Sequence, residues 1–161
     1  MDRMLKKIIS GGQTGVDRAA LDVAREQGVP SGGWCPRDRK AEDGPIALSY
    51  PLTETPSDAY AQRTEWNVRD SDATLVLTRG TPSEGTAFTI DVAARLGKPY
   101  LLIDLDNPSD PAAIASWLEE RQVHVLNVAG PRESKSPGIC QQAIHLLSSV
   151  FSCTARTRLG G

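Results

Sequence analysis

The residues best suited to chemistry in this chain lie in the stretch SGGQTGVDRAAL, residues 10–21, where glycines separate an apolar strand from an amphipathic helix. Apolar residues recur at helical spacing from Val16 onward, which predicts that the helix begins there. At such a junction, backbone N–H groups point outward and favour a bound anion. Glycines also let a ligand approach the backbone closely. The side-chain amide of Gln13 and the hydroxyl of Thr14, which lie between the glycines, can add polar contacts. We therefore expect a backbone anion cradle formed by Gly11, Gly12, Gln13, Thr14 and Gly15.

This loop does not fit the common nucleotide-binding motifs. A Walker A loop needs a lysine after its last glycine, and the dinucleotide fingerprint needs GxGxxG, so glycines at 11, 12 and 15 match neither. No acidic residue ends the second predicted strand to hold a ribose, because Cys35 stands there. Thr14 is placed as the N-cap of the helix. Asp17 would then either accept the Thr14 N–H in a capping box or contact a ligand.

A second loop with phosphate-binding composition follows the predicted strand ATLVLT. Its glycines and hydroxyl groups suit a second phosphate cradle, formed by Gly80, Thr81, Ser83, Gly85 and Thr86. Glu84 in this loop could serve as a general acid or base, or could only favour the dipole of the helix that it begins.

A third loop, residues 129–136, places two cations just before the last predicted helix. Arg132 and Lys135, the hydroxyls of Ser134 and Ser136, and the N–H groups of the helix start together suit a phosphate. In the alternative interpretation, this is a solvated basic loop in which Ser136 is an ordinary N-cap.

Alternating strand and helix signals must position these loops. We predict strands near 5–10, 30–34, 73–78, 99–104 and 123–128, and helices at about 16–27, 58–70, 84–96, 111–122 and 137–151. Asp110 is expected to cap the helix that begins at Pro111. The pattern predicts an α/β protein with one doubly wound, mainly parallel sheet of five or more strands between two helical layers. In such a sheet the carboxyl ends of the strands share one edge, so the three loops should meet there. We expect a single domain over 1–151 and a flexible tail over 152–161.

Composition narrows the class of partner. With 161 residues and a formal net charge of −2, the chain has no general attraction for nucleic acid or anionic membranes. No apolar run approaches the length of a membrane span, and the N-terminus lacks a signal-peptide core. Three cysteines without a CxxC pair suit a reducing cytoplasm, and His124 and His145 lack the spacing of metal ligands. We expect a cytoplasmic protein with no bound metal of its own.

Five ordered motifs resemble those of the molybdenum-cofactor carrier proteins. They span about residues 5–151 and read SGGQTGVDRAALD, GGWCPRDRKAEDGPI, RTEWNVRDSDATLVLT, GTAFTIDVAARLGKP and NVAGPRESKSPGI. That family is similar in fold to the Rossmann-like lysine-decarboxylase-like, or LOG, group. The resemblance implies a homo-oligomer, a dimer or tetramer, that holds molybdenum cofactor (molybdopterin) or another small phosphorylated anion, and stores or hands it on without turnover. The binding set is then the residues of the three loops named above together with Arg18 and Glu84.

The LOG phosphoribohydrolases provide a contrast, since their signature is PGGxGTxxE. Alignment on Gly85 and Thr86 places Thr89 where that signature has its catalytic glutamate. A nucleoside-phosphate hydrolase therefore needs Glu84, Asp91 or Asp17 as a substitute base. This enzyme, or a nucleotide-sensing module that acts through a partner, is the alternative to a carrier. No catalytic residue is assigned.

Overall fold

Five parallel strands form the central sheet of the protein. The structure is a computed structural model that describes residues 4–160, with side chains as far as residue 155. The strands of this sheet are β1 (Lys7–Ile9), β2 (Ser31–Gly32), β5 (Ala73–Thr78), β6 (Tyr100–Asp104) and β7 (Val125–Ala129). Their spatial order is β2-β1-β7-β5-β6, and every neighbouring pair is parallel.

Helices cover both faces of this sheet. They are α1 (Val16–Glu26), α2 (Tyr60–Arg69), α3 (Glu84–Arg95), α4 (Pro111–Glu120) and α5 (Ile139–Gly160). Leu75 and Leu77 of β5 join the main core with α1, α4 and α5, while a smaller cluster joins α2 to α3. Alternate residues of a strand face opposite sides, so the sheet separates two helical layers. The predicted doubly wound, parallel α/β fold is confirmed.

Several helix ends differ from the sequence-based prediction. Asp110 caps α4 as predicted, since its Oδ1 accepts the Ala112 N–H at 2.8 Å. The N-cap of α1, however, is Gly15 and not Thr14, and α5 begins at Ile139, two residues after Pro137.

The end of the chain continues α5 further than we expected. The helix runs through residue 151 and the first residues of the predicted tail, and Thr154 is 2% exposed. Beyond residue 155 the side chains lie outside the described part, and the flexibility of that segment stays a prediction. Among the described residues, none of the helices has the length and apolar character to cross a membrane.

The predicted strand near 30–34 divides in two at Gly33. This residue has φ +123°, and a Cβ there would lie 2.4 Å from the carbonyl oxygen of Ser10. The chain therefore leaves the main sheet, and β3 (Trp34–Cys35) pairs in parallel with β4 (Thr53–Glu54) in a separate two-stranded sheet.

The long connection 36–57, which we call the strap, is folded against the body. Its residues Ala41 and Ile46 form an apolar cluster with Cys35 of β3, and Tyr50 and Leu52 pack against them. The guanidinium of Arg39 donates to four backbone carbonyls of the strap, those of Ile46, Ala47, Tyr50 and Leu52. These bonds hold the strap in one conformation, despite its length and its high proline and charge content.

Candidate functional site

A cavity of about 680 Å³ lies at the carboxyl edge of the sheet. The loops after β1, β5 and β7 all contribute to its wall, so the predicted convergence of the three loops is confirmed. The remaining side is formed by α2 and the first half of α3. Of the candidate binding residues, eight line the cavity: Gly11, Gln13, Ser83, Glu84, Gly85, Thr86, Arg132 and Lys135. The other eight lie outside its wall: Gly12, Thr14, Gly15, Arg18, Gly80, Thr81, Ser134 and Ser136.

The N–H groups of the first loop bind internal acceptors. Asp17 Oδ2 accepts the Gln13 N–H at 3.4 Å, and the Thr14 N–H donates to the side chain of its neighbour Gln13 at 3.0 Å. The predicted capping box, in which Asp17 accepts from Thr14, is therefore wrong. Gly12 N–H lies 3.4 Å from Ser10 Oγ. The Asp17 carboxylate thus lies where we expected the anion of a ligand, because the first turn of α1 places it next to the N–H group of Gln13.

The glycines of this loop allow close packing within the protein. A Cβ on Gly12, whose φ is +77°, would lie 2.5 Å from Leu52 Cδ1 of the strap. On Gly15, with φ +81°, it would lie 2.3 Å from the Pro131 carbonyl oxygen, and on Gly11 2.1 Å from Arg63 Nη1. Arg18 also binds a group of the protein itself, since its Nη1 forms an ion pair with Asp43 Oδ2 at 2.6 Å. Gly12 and Gly15 therefore lie against neighbouring segments and outside the cavity wall, whereas Gly11 contacts Arg63 and is part of that wall.

The third loop likewise contains its own anion. Glu133 accepts the N–H groups of Gly138 at 2.6 Å and Cys140 at 3.0 Å, so its carboxylate caps α5. The prediction of Ser136 as a side-chain N-cap is wrong, since it is the Ser136 carbonyl oxygen that accepts the Ile139 N–H. The N-terminus of α5 therefore has an internal acidic partner, which disfavours a phosphate there.

Glu42 of the strap joins the first and third loops. Its carboxylate accepts from the Thr14 hydroxyl and from the Ser134 N–H and hydroxyl, and it lies 3.9 Å from the Arg132 guanidinium. Burial opposes ionisation of Glu42, but the hydrogen bonds from Ser134 and Thr14 outweigh it and lower the pKa of this carboxyl. Thr14 and Ser134 thus bind a carboxylate, as predicted for hydroxyl groups in an anion-binding loop, but this carboxylate is that of Glu42 in the strap.

The middle loop differs from the other two. Ser83 is the N-cap of α3 but makes no side-chain capping hydrogen bond, and its Oγ lies 3.2 Å from Thr86 Oγ1. Within the described chain, no acceptor outside the helix is bonded to the first-turn N–H groups of Glu84, Gly85 and Thr86. A Cβ on Gly85 would meet nothing within 4 Å, so the helix start opens onto the cavity.

Helix α2 supplies a wall that the sequence analysis missed. Tyr60, Arg63, Thr64 and Asn67 line the cavity. Their spacing of i, i+3, i+4 and i+7 marks one polar helical face, a signal that was present in the sequence. Three cations surround the Tyr60 ring, with Lys40 at 4.8 Å, Arg63 at 5.1 Å and Arg132 at 5.3 Å from its centroid.

Arg63 connects α2 to the first loop. Its Nη1 donates to the Gly11 carbonyl oxygen at 3.2 Å and lies 3.4 Å from Asp17 Oδ2. Burial raises the pKa of Asp17 to about 6, against the opposing effects of Arg63 and of the N–H groups of Gln13 and Gly11. The side chains of Asp17 and Arg63 are 8% and 13% exposed, so the cavity wall contains a buried ion pair. Among the described side chains, no three or more His, Cys, Asp or Glu residues are grouped to hold a metal ion.

Comparisons with known proteins add family information to this geometry. The model of the circularly permutated YpsA SLOG family matches residues 8–151. The chain is similar to a crystal structure at 1.45 Å of a protein from Syntrophus aciditrophicus SB named "Putative molybdenum carrier protein". The two are 44% identical with a TM-score of 0.87, and the similarity covers 93% of this chain and 97% of that one. A search of curated proteins found no match.

Proposed function

The chain belongs to the circularly permutated YpsA SLOG family, and we propose that it binds a small phosphorylated ligand in the cavity at the carboxyl edge of the sheet. Its 44% identical relative is named as a molybdenum carrier, which supports a molybdenum-containing ligand, and the ligand we propose is molybdenum cofactor (molybdopterin). The protein would carry or protect this cofactor without turning it over.

The observation that supports this proposal most strongly is the open N-terminus of α3. The N-cap Ser83, the first-turn residues Glu84, Gly85 and Thr86, and Lys135 of the third loop all line the cavity. A helix start with unused N–H groups attracts a phosphate through both hydrogen bonds and the helix dipole. The ligand's phosphate would bind here, since internal carboxylates occupy the starts of α1 and α5.

The remainder of the cavity suits a ring system. Small-molecule sites commonly enclose about 300–1,000 Å³, and this one lies within that range. Tyr60 and Phe88 contribute aromatic surface, while Arg63 and Arg132 contribute positive charge. A pterin ring can stack on such side chains, and guanidinium groups also pack on ring faces.

The side chains at the cavity favour binding over hydrolysis. Thr89 stands at the position of the catalytic glutamate in LOG enzymes, and its hydroxyl donates within α3 to the Gly85 carbonyl oxygen at 3.2 Å. Asp91 is exposed and does not line the cavity. Of the three residues that could replace the LOG glutamate as a base, Glu84 and Asp17 line the cavity.

The test fills the proposed phosphate site with an internal acid. The Ser83→Asp variant should cap α3 through its own carboxylate and exclude a phosphate, as Glu133 does at α5. The matched control is Ser136→Asp, which makes the same change outside the cavity wall. Native mass spectrometry should find a phosphorylated ligand on the freshly purified wild type and on the control, and none on Ser83→Asp. Ligand retained by Ser83→Asp removes α3 from the site, and a wild type that neither carries nor binds a phosphorylated compound overturns the proposal.

A second candidate function follows from Asp17. A buried carboxyl with a pKa of about 6 at a cavity wall has the properties of a general base. The corresponding enzyme would hydrolyse the N-glycosidic bond of a nucleoside monophosphate. Release of free base from nucleoside monophosphates, measured by chromatography and abolished in Asp17→Asn, would support this enzyme, while tight stoichiometric binding without release would support the carrier.

We further propose that the protein is a cytoplasmic homo-oligomer. Edge strand β6 exposes Tyr100 at 40% and Leu102 at 42%, and Leu96 just after α3 is 38% exposed. Neighbouring apolar side chains in water favour association with a second copy. Light scattering after size-exclusion chromatography should give a dimer or tetramer, and Leu102→Lys should shift it toward the monomer.

A further inference from the structure

Three cationic side chains meet at one aromatic ring of the protein. Lys40 Nζ lies 4.8 Å from the centroid of the Tyr60 ring, and the guanidinium carbons of Arg63 and Arg132 lie 5.1 Å and 5.3 Å from it. Lys40 comes from the strap, Arg63 from α2 and Arg132 from the loop after β7. Three segments distant in sequence thus bring positive charge to one point of the fold. Because like charges repel one another, such an arrangement needs negative charge beside it.

Carboxylates of the protein balance only part of this charge. Asp17 Oδ2 lies 3.4 Å from Arg63 Nη1, and Glu42 Oε2 lies 3.9 Å from Arg132 Nη1. The Glu42 carboxylate also accepts three hydrogen bonds from other residues. Lys40 forms no ion pair with any described residue. Three cations against two carboxylates leave this point positive, although the whole chain has a formal net charge of −2.

Several donors of this cluster have no acceptor. Arg63 donates through Nε and Nη1 to a hydroxyl and to a backbone carbonyl, but its Nη2 makes no hydrogen bond within the described chain, and neither does the Arg132 guanidinium. In that part of the chain, Gln13 Nε2 is the only fully enclosed side-chain nitrogen or oxygen without a partner, so the donors of Arg63 and Arg132 reach accessible surface. Both arginines line the cavity, and so does Tyr60. An acceptor can therefore approach these donors from the cavity.

The chemistry of the three side chains selects an oxyanion. A guanidinium presents a planar fork of N–H donors that matches two oxygens of one anion, and an ammonium adds a compact charge. The side chains of Arg63 and Arg132 are 13% and 34% exposed, so solvent screens their charges only in part.

We propose that Arg63, Arg132 and Lys40 form an oxyanion subsite beside Tyr60, distinct from the phosphate site at the start of α3. The cavity then accepts a ligand with two anionic groups, a conclusion that rests on the proposed function for the first of them. The ligand class is a phosphorylated compound that carries a second oxyanion.

Inorganic phosphate is the probe for this subsite, and NMR of the ¹⁵N-labelled full chain locates its binding. Titration of the wild type should shift two groups of backbone amide signals. One group comprises residues 84–86 at the start of α3, and the other comprises residues 60–63 and 132–133 around the Tyr60 ring. The second group should still shift in Ser83→Asp, in which the introduced carboxylate closes the α3 site.

The double variant Lys40→Gln with Arg132→Gln removes two of the three cations. It should weaken phosphate binding at the Tyr60 group by about 10- to 100-fold and leave the α3 group within about twofold of the wild type. Lys40→Gln alone changes an exposed side chain without disturbing the core, and it should weaken the Tyr60 group by about threefold. The matched control is Arg121→Gln, because Arg121 also lies over an aromatic ring, that of Trp117 at 4.5 Å, but outside the cavity wall. It should change neither group.

The outcomes separate the subsite from the proposed function. Wild-type shifts confined to residues 84–86 overturn the subsite and leave the phosphate site at α3 intact, and this result needs no variant to fold. Shifts confined to the Tyr60 group support the subsite and overturn the α3 site. Unchanged phosphate affinity of the Tyr60 group in both the double variant and Lys40→Gln overturns the assignment of these cations. A wild type in which neither group shifts overturns both proposals.

Discussion

The N-termini of α5 and α3 show how two loops of similar composition acquire different roles. Both loops combine glycine and hydroxyl groups, and both follow strands that end at the same edge of the sheet. At α5, Glu133 lies six residues before the first helical residue and its carboxylate accepts two N–H groups. At α3, Glu84 is itself the first helical residue, and the N-cap Ser83 leaves the first-turn N–H groups without a side-chain acceptor. The availability of a helix start to a ligand thus depends on whether an internal carboxylate can reach it.

A similar contrast separates the glycines of the two regions. Those of the first loop lie against other segments of the protein, whereas Gly85 of α3 borders open space. A methyl group added to a first-loop glycine should therefore destabilise the fold, whereas one added to Gly85 should not.

The largest expected effect is on Gly15. The Gly15→Ala methyl would lie 2.3 Å from the Pro131 carbonyl oxygen at a φ of +81°. Strain and overpacking together should lower the free energy of unfolding by about 3 kcal/mol or more. Urea titration followed by circular dichroism provides the measurement. The matched change, Gly85→Ala, should be neutral or stabilise by about 0.5–1 kcal/mol, and equal destabilisation by both would refute the contrast.

A second test uses pH to probe the buried acid Asp17 at the start of α1. Since burial raises the pKa of Asp17 from 3.8 to about 6, the folded protein binds more protons than the unfolded chain between these values. Its contribution to stability is therefore fully present below about pH 4 and is lost as the pH rises through about 6. The loss should amount to about 3 kcal/mol by the conversion of 1.36 kcal/mol per pKa unit.

Asp17→Asn isolates this contribution. Unfolding free energies measured between pH 4 and pH 7 should fall less with rising pH in the variant than in the wild type. Parallel curves for the two proteins would mean that Asp17 titrates near its ordinary value.

The cap of α5 should have an intermediate effect. Glu133→Ala removes the acceptor for the N–H groups of Gly138 and Cys140, and loss of a cap costs about 1–2 kcal/mol. Inorganic phosphate should then raise the melting temperature of the variant more than that of the wild type, because the helix start has become available. Glu84→Ala, the corresponding change at α3, should have little effect on stability. A variant Glu133→Ala as stable as the wild type would show that the cap is dispensable.

The smallest expected effect concerns Lys135. This exposed lysine lines the same cavity as the proposed phosphate site, and a solvent-screened charge pair contributes little. Lys135→Ala should therefore weaken the binding of inorganic phosphate, measured by isothermal titration calorimetry, by about threefold to fivefold, corresponding to less than 1 kcal/mol. Arg121→Ala, on the loop after α4, is the control and should leave the affinity unchanged. A larger loss would identify Lys135 as a principal phosphate ligand.

Much of the architecture could be predicted from local sequence pattern. Apolar periodicity identified β5, β6 and β7 and the helices between them, and Asp110 before Pro111 identified a helix start correctly. These features depend on residues close in sequence, and the common edge of a parallel sheet then brought the three loops together. The reasoning failed at the caps of α1 and α5, where a different nearby group accepts the N–H groups, and where the partner of a group is distant in sequence.

The contacts that Arg63 and Glu42 make with the first and third loops are the distant cases. Arg63 reaches Asp17 from 46 residues away, and Glu42 reaches Ser134 across 92. A glycine that admits a ligand and one that admits a neighbouring side chain are identical in sequence, so Gly12 and Gly85 could not be distinguished. By itself, the sequence determined which segments become strands and helices, and which loops share an edge. Only the tertiary structure decided which helix start is available to a ligand, because that depends on how the strap and α2 pack against the loops.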